Sequence, residues 1–166
     1  MVDISMQGAR LTLVCEAISA GNIILEFSAE GTPIEFPDIE TCGYEMTMNG
    51  ELVTWTKPAP ITWNVTVLPG TNSDVALRNL LYAGHVGGRR GKPINQKYVR
   101  ISTATLYVPS IDSNGIVTSY GGINFVFTNG RLSGGPMAIG ANNEGKMSPR
   151  TYKFVFESVS AQKPQE

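Results

Sequence analysis

Few residues in this 166-residue sequence are of the types that carry out catalysis or bind metals. His85 is the single histidine, and the two cysteines, Cys15 and Cys42, are not spaced as metal ligands. Nucleophilic catalysis usually requires a histidine beside a serine or cysteine. His85 instead stands among glycines at the predicted end of a helix, where capping is the simpler role. Because the carboxylates also form no acid–base pair, we expect no enzymatic activity, no metal site and no cofactor.

A glycine-rich stretch, residues 84–88, leads into a basic segment. It follows a predicted helix, whereas a phosphate-binding loop precedes one. A basic run can bind nucleic acid, but Tyr98 is the one aromatic residue here that could stack on bases. The net charge of −1 also lacks the basicity of a nucleic-acid-binding domain. We therefore expect these bases to pair with carboxylates on a neighbouring subunit. The bases of the segment are Arg89, Arg90, Lys92, Lys97 and Arg100.

Charge is distributed unevenly along the chain. Residues 1–56 contain nine acids and one base, whereas residues 57–166 contain twelve bases and five acids. Two interpretations are open. The two parts could interleave and neutralise each other within one fold, or they could form unlike patches at opposite ends of the molecule. Unlike, complementary patches favour head-to-tail association into rings or helical filaments.

The composition indicates one soluble domain with an unusually uncharged surface. Charged residues make up 16% of the sequence, below the roughly 25% typical of soluble domains. This low share favours burial of surface in an assembly, although all-β domains also carry little charge. The N-terminus lacks the pattern of a signal peptide, and no apolar run is long enough to span a membrane. We expect a single domain over residues 1–166, produced in the cytosol with reduced thiols.

The predicted elements are almost all strands. Ile61–Leu68 shows the strictest alternation of apolar and polar residues. Asn49-Gly50 predicts a hairpin between residues 43–48 and 51–56, because this dipeptide favours a turn with positive φ at both positions. Asn129-Gly130 predicts another turn, followed by a glycine-rich loop. The other predicted strands are Arg10–Ile18, Ile23–Ala29, Lys97–Val108, Ile116–Phe127 and Thr151–Val159.

One helix is predicted after Pro69-Gly70. Asn72 or Ser73 suits its N-cap, Asp74 suits its dipole, and Gly84 suits its end. Strands with a single short helix predict a mainly β domain, closed as a sandwich or partial barrel.

The order of strands, acidic loop, hairpin, Pro-Gly turn and single amphipathic helix resembles that of bacteriophage tail tube proteins. Residues 63–81, WNVTVLPGTNSDVALRNLL, carry the resemblance: they are similar to the family's junction between a sandwich strand and its one helix. Related tubes, including the type VI secretion tube, share the pattern. The resemblance implies hexameric rings whose strands join into a barrel, stacking of the rings through a long loop, and passage of DNA through the channel. It also implies a place in the virion tail, assembly in the host cytoplasm, and sheath, tape measure and baseplate proteins as partners.

Under that resemblance, the acidic loop 29–56 becomes a stacking arm and the basic segment 84–97 its counterpart on a neighbour. A channel lined by carboxylates would repel DNA phosphates, which makes Glu16 and Glu26 candidates for the lumen. The bases belong at an interface, because a basic lumen would retain DNA by counterion release. Residues 161–166 are expected to form a flexible tail. The predicted interface residues are Glu35, Asp38, Glu40, Glu45, Arg89, Arg90, Lys92 and Lys97.

Two other functions are open at this point. Another virion part, such as a tube-like baseplate protein or a capsid decoration protein, would form a small fixed oligomer without polymers. A small-ligand-binding β-barrel would be monomeric, with an apolar pocket inside the barrel.

Overall fold

The computed structural model describes residues 10–18, 22–25, 34–85, 93–108, 122–141 and 143–162. Among them, seven strands form one curled antiparallel sheet in the order β2-β1-β7-β8-β9-β6-β3, and β4 pairs with β5 in a separate hairpin. The predicted class, mainly β with a partly closed sheet, is confirmed. The strands are β1 (Arg10–Cys15), β2 (Asn22–Leu25), β3 (Ile34–Glu35), β4 (Cys42–Met46), β5 (Leu52–Thr56), β6 (Ile61–Val67), β7 (Ile101–Tyr107), β8 (Asn124–Gly134) and β9 (Arg150–Gln162), and the helices are α1 (Asn72–Gly84) and α2 (Gln96–Val99).

Alternation of apolar and polar residues directs one face of the sheet into an aromatic core. Trp63, Val65 and Val67 of β6 are buried and Ile61 is half-buried, while the threonines and Asn64 point to the opposite face, as predicted. The Trp63 ring centroid lies 4.4 Å from that of Phe154 and 5.4 Å from those of Phe156 and Phe127. These rings occupy the space that a ligand would need inside a ligand-binding barrel.

Helix α1 is confirmed, with a different N-cap from the one predicted. Thr71 takes this position instead of Asn72 or Ser73, and its Oγ1 accepts a hydrogen bond from the Asp74 backbone N–H at 3.3 Å. The helix ends at Gly84 as predicted, and His85 caps it by donating its backbone N–H to the carbonyl of Tyr82. Leucines 77, 80 and 81 bury one face of the helix in the core.

A buried ion pair between Asp74 and Arg150 joins α1 to the sheet. Arg150 Nε lies 2.9 Å from Asp74 Oδ1, and both side chains are at most 5% exposed. Tyr152 donates its hydroxyl to the same oxygen at 2.8 Å, and the Gly70 N–H donates to Oδ2 at 3.1 Å. Arg150 Nη2 donates to the carbonyl of Pro136 at 2.8 Å. Burial and the Asp74 carboxylate raise the pKa of Tyr152 to about 12, so its hydroxyl remains a neutral donor.

The predicted strand beginning at Lys97 is wrong at its start. Residues 96–99 form the short helix α2, and β7 begins at Ile101. The Asn95 side chain accepts a hydrogen bond from the Tyr98 N–H at 3.3 Å, which caps this turn of helix. A local side-chain bond thus wins over the β-propensity of Tyr98 and Val99.

The turn predicted at Asn129-Gly130 is also wrong, because both residues lie inside β8. Asn129 adopts a left-handed φ of 53°. On one side of Asn129, Gly130 lies opposite Ile101 of β7 and Phe156 of β9. On its other side, Thr128 lies opposite Thr103 of β7 and Ser158 of β9. The row between them, formed by Ser102, Asn129 and Glu157, has no paired residues in either register. Asn129 Nδ2 donates to the Glu157 carboxylate across this row. The positive φ that the dipeptide favours therefore lies inside a strand here and not in a turn.

The hairpin predicted around Asn49-Gly50 is confirmed, but its turn differs. Gly50 has a φ of 83°, whereas Asn49 does not take a positive φ. The Gly50 N–H donates to the Thr47 carbonyl, and the Thr47 N–H donates to the Glu51 carbonyl. This is a three-residue loop with glycine in the left-handed position, stabilised by a bond from the Glu51 N–H to Thr47 Oγ1.

The end of the chain continues the sheet further than expected. Ala161 and Gln162, predicted to begin the tail, pair with Phe125 and Asn124 as the last residues of β9. Residues 163–166 lie outside the described residues, as does the first half, residues 116–121, of the predicted strand 116–127.

Gly130 is expected to tolerate no side chain. A Cβ there would overlap Cδ1 of Phe156 and the carbonyl oxygen of Val155, whereas a Cβ at Gly134 would meet no atom within 4 Å. Gly130→Ala should lower the free energy of unfolding by about 1–3 kcal/mol through overpacking, and Gly134→Ala should leave it nearly unchanged. Chemical denaturation of both variants tests this, and equal effects would contradict the packing described.

Candidate assembly surface

The β4–β5 hairpin, residues 42–56, is an exposed projection that we call the arm. Each of its residues is exposed except Gly43, which is half-buried under the Trp55 indole. Six large apolar side chains of the arm face solvent: Tyr44, Met46, Met48, Leu52, Val53 and Trp55. An exposed apolar patch of this kind usually marks a contact with another molecule.

The register of the arm divides its side chains between two unlike faces. Tyr44 lies opposite Thr54, and Met46 lies opposite Leu52, which gives one face without charge. On the other face Glu45 lies opposite Val53, beside Trp55. Both faces therefore expose apolar side chains to solvent, and the second face also carries the Glu45 carboxylate.

The other predicted acids of this region lie beside the arm. Glu35 is exposed in β3, opposite Asn64 of β6, and Asp38 is exposed between β3 and β4. Glu40 accepts a hydrogen bond from Lys57 Nζ at 2.7 Å, which closes the base of the arm. This bond and the charge of Lys57 lower the pKa of Glu40. Glu40 is thus paired within the chain, whereas the prediction placed it at an interface.

The basic side of the molecule lies around α2. Lys97 is exposed on this helix and Arg100 directly follows it. An open groove of about 630 Å³ runs past Arg100, with Pro58, Pro60 and Phe156 among its lining residues. A second groove, of about 330 Å³, contains Arg100, Lys97 and Glu16. The predicted residues Arg89, Arg90, Lys92 and Glu26 lie outside the described residues.

Within the described ranges, Glu40 of the acidic part pairs with Lys57 of the basic part. There, Glu35, Asp38, Glu45 and Glu51 form no ion pair, and neither do Lys97 and Arg100. Glu16, a predicted lumen residue, is exposed at the end of β1 and shares a groove with two bases. Both interpretations of the charge asymmetry therefore stay predictions.

The face of the sheet opposite the core is rich in hydroxyls. Thr66 and Thr151 join β6 and β9 there through a bond of 3.0 Å between their Oγ1 atoms. Lys153, opposite Asn64, adds a positive charge to this face. The face, which we call the open face, includes Thr12, Thr62, Thr66, Thr103, Thr105 and Thr151.

The sheet also presents strand edges. β6 ends its pairing with β9 at Phe156, so residues 158–162 of β9 pair with β8 alone in the described structure, and all five are exposed. Among the described strands, β2 ends the sheet on its other side. Unpaired edges are templates for strands of another chain.

Within the described ranges no group of three or more histidine, cysteine or acidic side chains is placed to hold a metal ion. None of the described helices has the length and apolar character needed to cross a membrane.

Known proteins are similar to this chain in sequence and in fold. The model of a family described as tail fiber protein gp32 matches residues 2–160. The comparison with curated proteins gave no match.

Solved structures share the fold. The PVC sheath/tube terminator of an extracellular contractile injection system, in its extended state, aligns over 98% of both chains with a TM-score of 0.56 at 9% identity. The PVC sheath-tube complex of such a system aligns over 99% of this chain and 93% of that chain, with a TM-score of 0.55 at 10% identity. The predicted resemblance to tail tubes is confirmed at the level of the fold.

Proposed function

The chain belongs to the tail fiber protein gp32 family, and we propose that it is a structural virion protein without catalytic activity, whose copies form stacked rings as a tail tube for DNA delivery. The observation that carries the proposal is the arm. Its six large apolar side chains and its unpaired carboxylates lack cover within the described chain.

Ring closure would use the strand edges. Within the described residues, 158–162 of β9 have one side unpaired, and β2 of the next copy offers the complementary edge. Repeating this contact around a ring, hexameric by the resemblance, pairs these two edges in every copy. It also places the open face of each copy in one continuous wall.

Stacking would use the arm. Its charged face, with Glu45 and Trp55, suits the basic groove at Lys97 and Arg100 of a copy in the next ring. The contact is heterologous, so it propagates into a filament.

The open face would line the channel. It carries hydroxyls together with Arg10, Lys153 and one carboxylate, that of Glu35, which lies opposite Asn64. A wall of mostly neutral polar groups forms few ion pairs with phosphates, so DNA would not be retained by counterion release. Sheath, tape measure and baseplate proteins are the expected partners of the tube's outer surface and ends. The particle would be assembled in the host cytoplasm.

Negative-stain electron microscopy of the purified protein at micromolar concentration tests the proposal. Hollow tubes are the expected result, with interfaces above roughly 2,000 Å² per contact in a reconstruction. Uniform monomers at every concentration would contradict it.

A second candidate is a ring that ends a tube. The structural likeness to a sheath/tube terminator favours it. A terminator would form single rings that do not stack by themselves, and the same micrographs would separate single rings from tubes.

A further inference from the structure

An exposed apolar surface lies on the core face of the sheet, beside the edge of β9. Val159 of β9 lies directly opposite Phe127 of β8, and two residues further along Ala161 lies opposite Phe125. Directly opposed residues share one face of a sheet, and Phe127 is buried in the core. Val159 is nevertheless 43% exposed, and Ala161 is exposed as well. Among the described residues, the core therefore ends at Phe127 while the apolar face of the sheet continues past it.

Phe36 belongs to the same surface. Its ring stacks on that of Phe127, with 5.8 Å between the centroids and 10° between the planes, and its centroid lies 6.0 Å from that of Trp63. The Phe36 side chain is still 43% exposed. Ring contact and strand register thus place Phe36 and Val159 on either side of Phe127. We call Phe36, Val159 and Ala161 the apolar seam.

The backbone beside the apolar seam is unpaired. Val159 and Ala161 lie in the stretch 158–162, which pairs with β8 alone in the described structure. A strand that pairs with the other side of this stretch would lie about 4.8 Å from β9. Any element that such a strand carries on its core face would then lie beside the seam. The strand that pairs with β9 therefore determines what covers the seam.

A second copy of this chain brings a helix to this position. Helix α1 contacts β2, which is the end strand on the other side of the sheet among the described strands. The helix packs on the core face, because Leu77 and Leu80 are buried in the same cluster as Leu11 and Leu13 of β1. If β2 of a neighbour extends the sheet past β9, the core faces of the two copies become continuous. Helix α1 of the neighbour then lies beside the seam.

We propose that the apolar seam of one copy receives helix α1 of the next copy in the ring. The inference rests on the proposed function, since it names the element that covers this face when the ring closes. Helix α1 has apolar surface to contribute, because Val75 is 38% exposed on it. The ring contact then contains a shared apolar core in addition to paired strand edges, which is typical of permanent interfaces.

Photocrosslinking identifies what covers the seam. The photoreactive residue p-benzoylphenylalanine replaces Phe36, which exchanges one exposed aromatic side chain for another. Isotopically light protein with this residue is mixed as a monomer with an excess of heavy unmodified protein, allowed to assemble, and irradiated. We expect crosslinks from position 36 to heavy peptides of α1, Asn72–Gly84. Crosslinks confined to light peptides, or to heavy peptides other than α1, would overturn the inference.

Carboxylate substitutions separate the seam from the pairing of strand edges. Val159→Asp and Ala161→Asp each place a charge in the seam and keep the backbone groups that would pair with β2. An unpaired carboxylate is costly to bury in an apolar contact, so each variant should raise the concentration needed for assembly at least about tenfold. Ser160→Asp is the matched control, because Ser160 lies between them on the opposite face of β9, and it should assemble normally.

Light scattering against concentration measures the three variants, and circular dichroism checks that each one folds. Because Ala161 is exposed, Ala161→Asp keeps the test valid if Val159→Asp does not fold. Normal assembly of Ala161→Asp would overturn this inference and leave the proposed pairing of strand edges intact. A wild-type protein that assembles at no concentration would instead overturn the proposed function and this contact with it.

Discussion

Asp74→Ala should lower the free energy of unfolding by about 3–5 kcal/mol, because it leaves the Arg150 guanidinium buried without its carboxylate. The substitution also removes the acceptor of the Tyr152 hydroxyl and of the Gly70 N–H. Guanidinium chloride denaturation of the unassembled protein, followed by fluorescence, measures the loss.

The control for this prediction is the exposed pair at the base of the arm. Glu40→Ala removes a carboxylate that is also within 2.7 Å of a base, but in full contact with water. We expect no measurable loss of stability, because solvent screens such a pair. If Asp74→Ala cost as little as Glu40→Ala, the Asp74–Arg150 pair would not be the link between helix and sheet that we describe.

Reversal of the charges at α2 should abolish assembly and leave the fold intact. Lys97→Glu combined with Arg100→Glu places two new carboxylates in a contact where the arm already supplies Glu45 and Glu51. Like charges across an interface cost several kcal/mol, so we expect the concentration required for assembly to rise at least about tenfold. Both residues are exposed, and neither forms an ion pair within the described ranges, so stability should change little.

Two further variants sharpen the charge-reversal experiment. Adding Glu45→Lys and Glu51→Lys to the reversed protein exchanges the signs on both sides and should restore assembly. Lys153→Glu, which reverses a charge on the open face, should assemble normally. Light scattering against concentration measures all of these proteins. Normal assembly of the Lys97→Glu, Arg100→Glu protein would show that α2 does not receive the arm.

Local sequence patterns predicted those elements whose structure is determined by residues close to them in the sequence. The alternation around Trp63 placed β6 correctly, since one face of that strand is fully buried. The dipole and cap signals around Asp74 predicted α1. Where local and long-range preferences compete, the patterns failed: Asn129 favours left-handed backbone, but only the pairing of β8 with β7 and β9 shows that it lies inside a strand.

Features made by distant residues were not accessible from the sequence. Asp74 and Arg150 are far apart along the chain, and no spacing rule joins them. Glu40 was predicted at an interface because it lies in the acidic segment, and its pairing with Lys57 could not be read from the spacing of the two residues. The charge asymmetry by itself left open whether the two parts of the chain neutralise each other.

The most direct test of the account asks whether the arm meets α2 of the same copy or of another. Isotopically light and heavy proteins are mixed as monomers, allowed to assemble, and joined with a zero-length carbodiimide reagent that links carboxylates to lysines. We predict crosslinks from Glu45 or Glu51 to Lys97 in which one peptide is light and the other heavy. Crosslinks confined to peptides of the same isotope would show that the arm folds back on its own chain, and would contradict assembly through unlike patches.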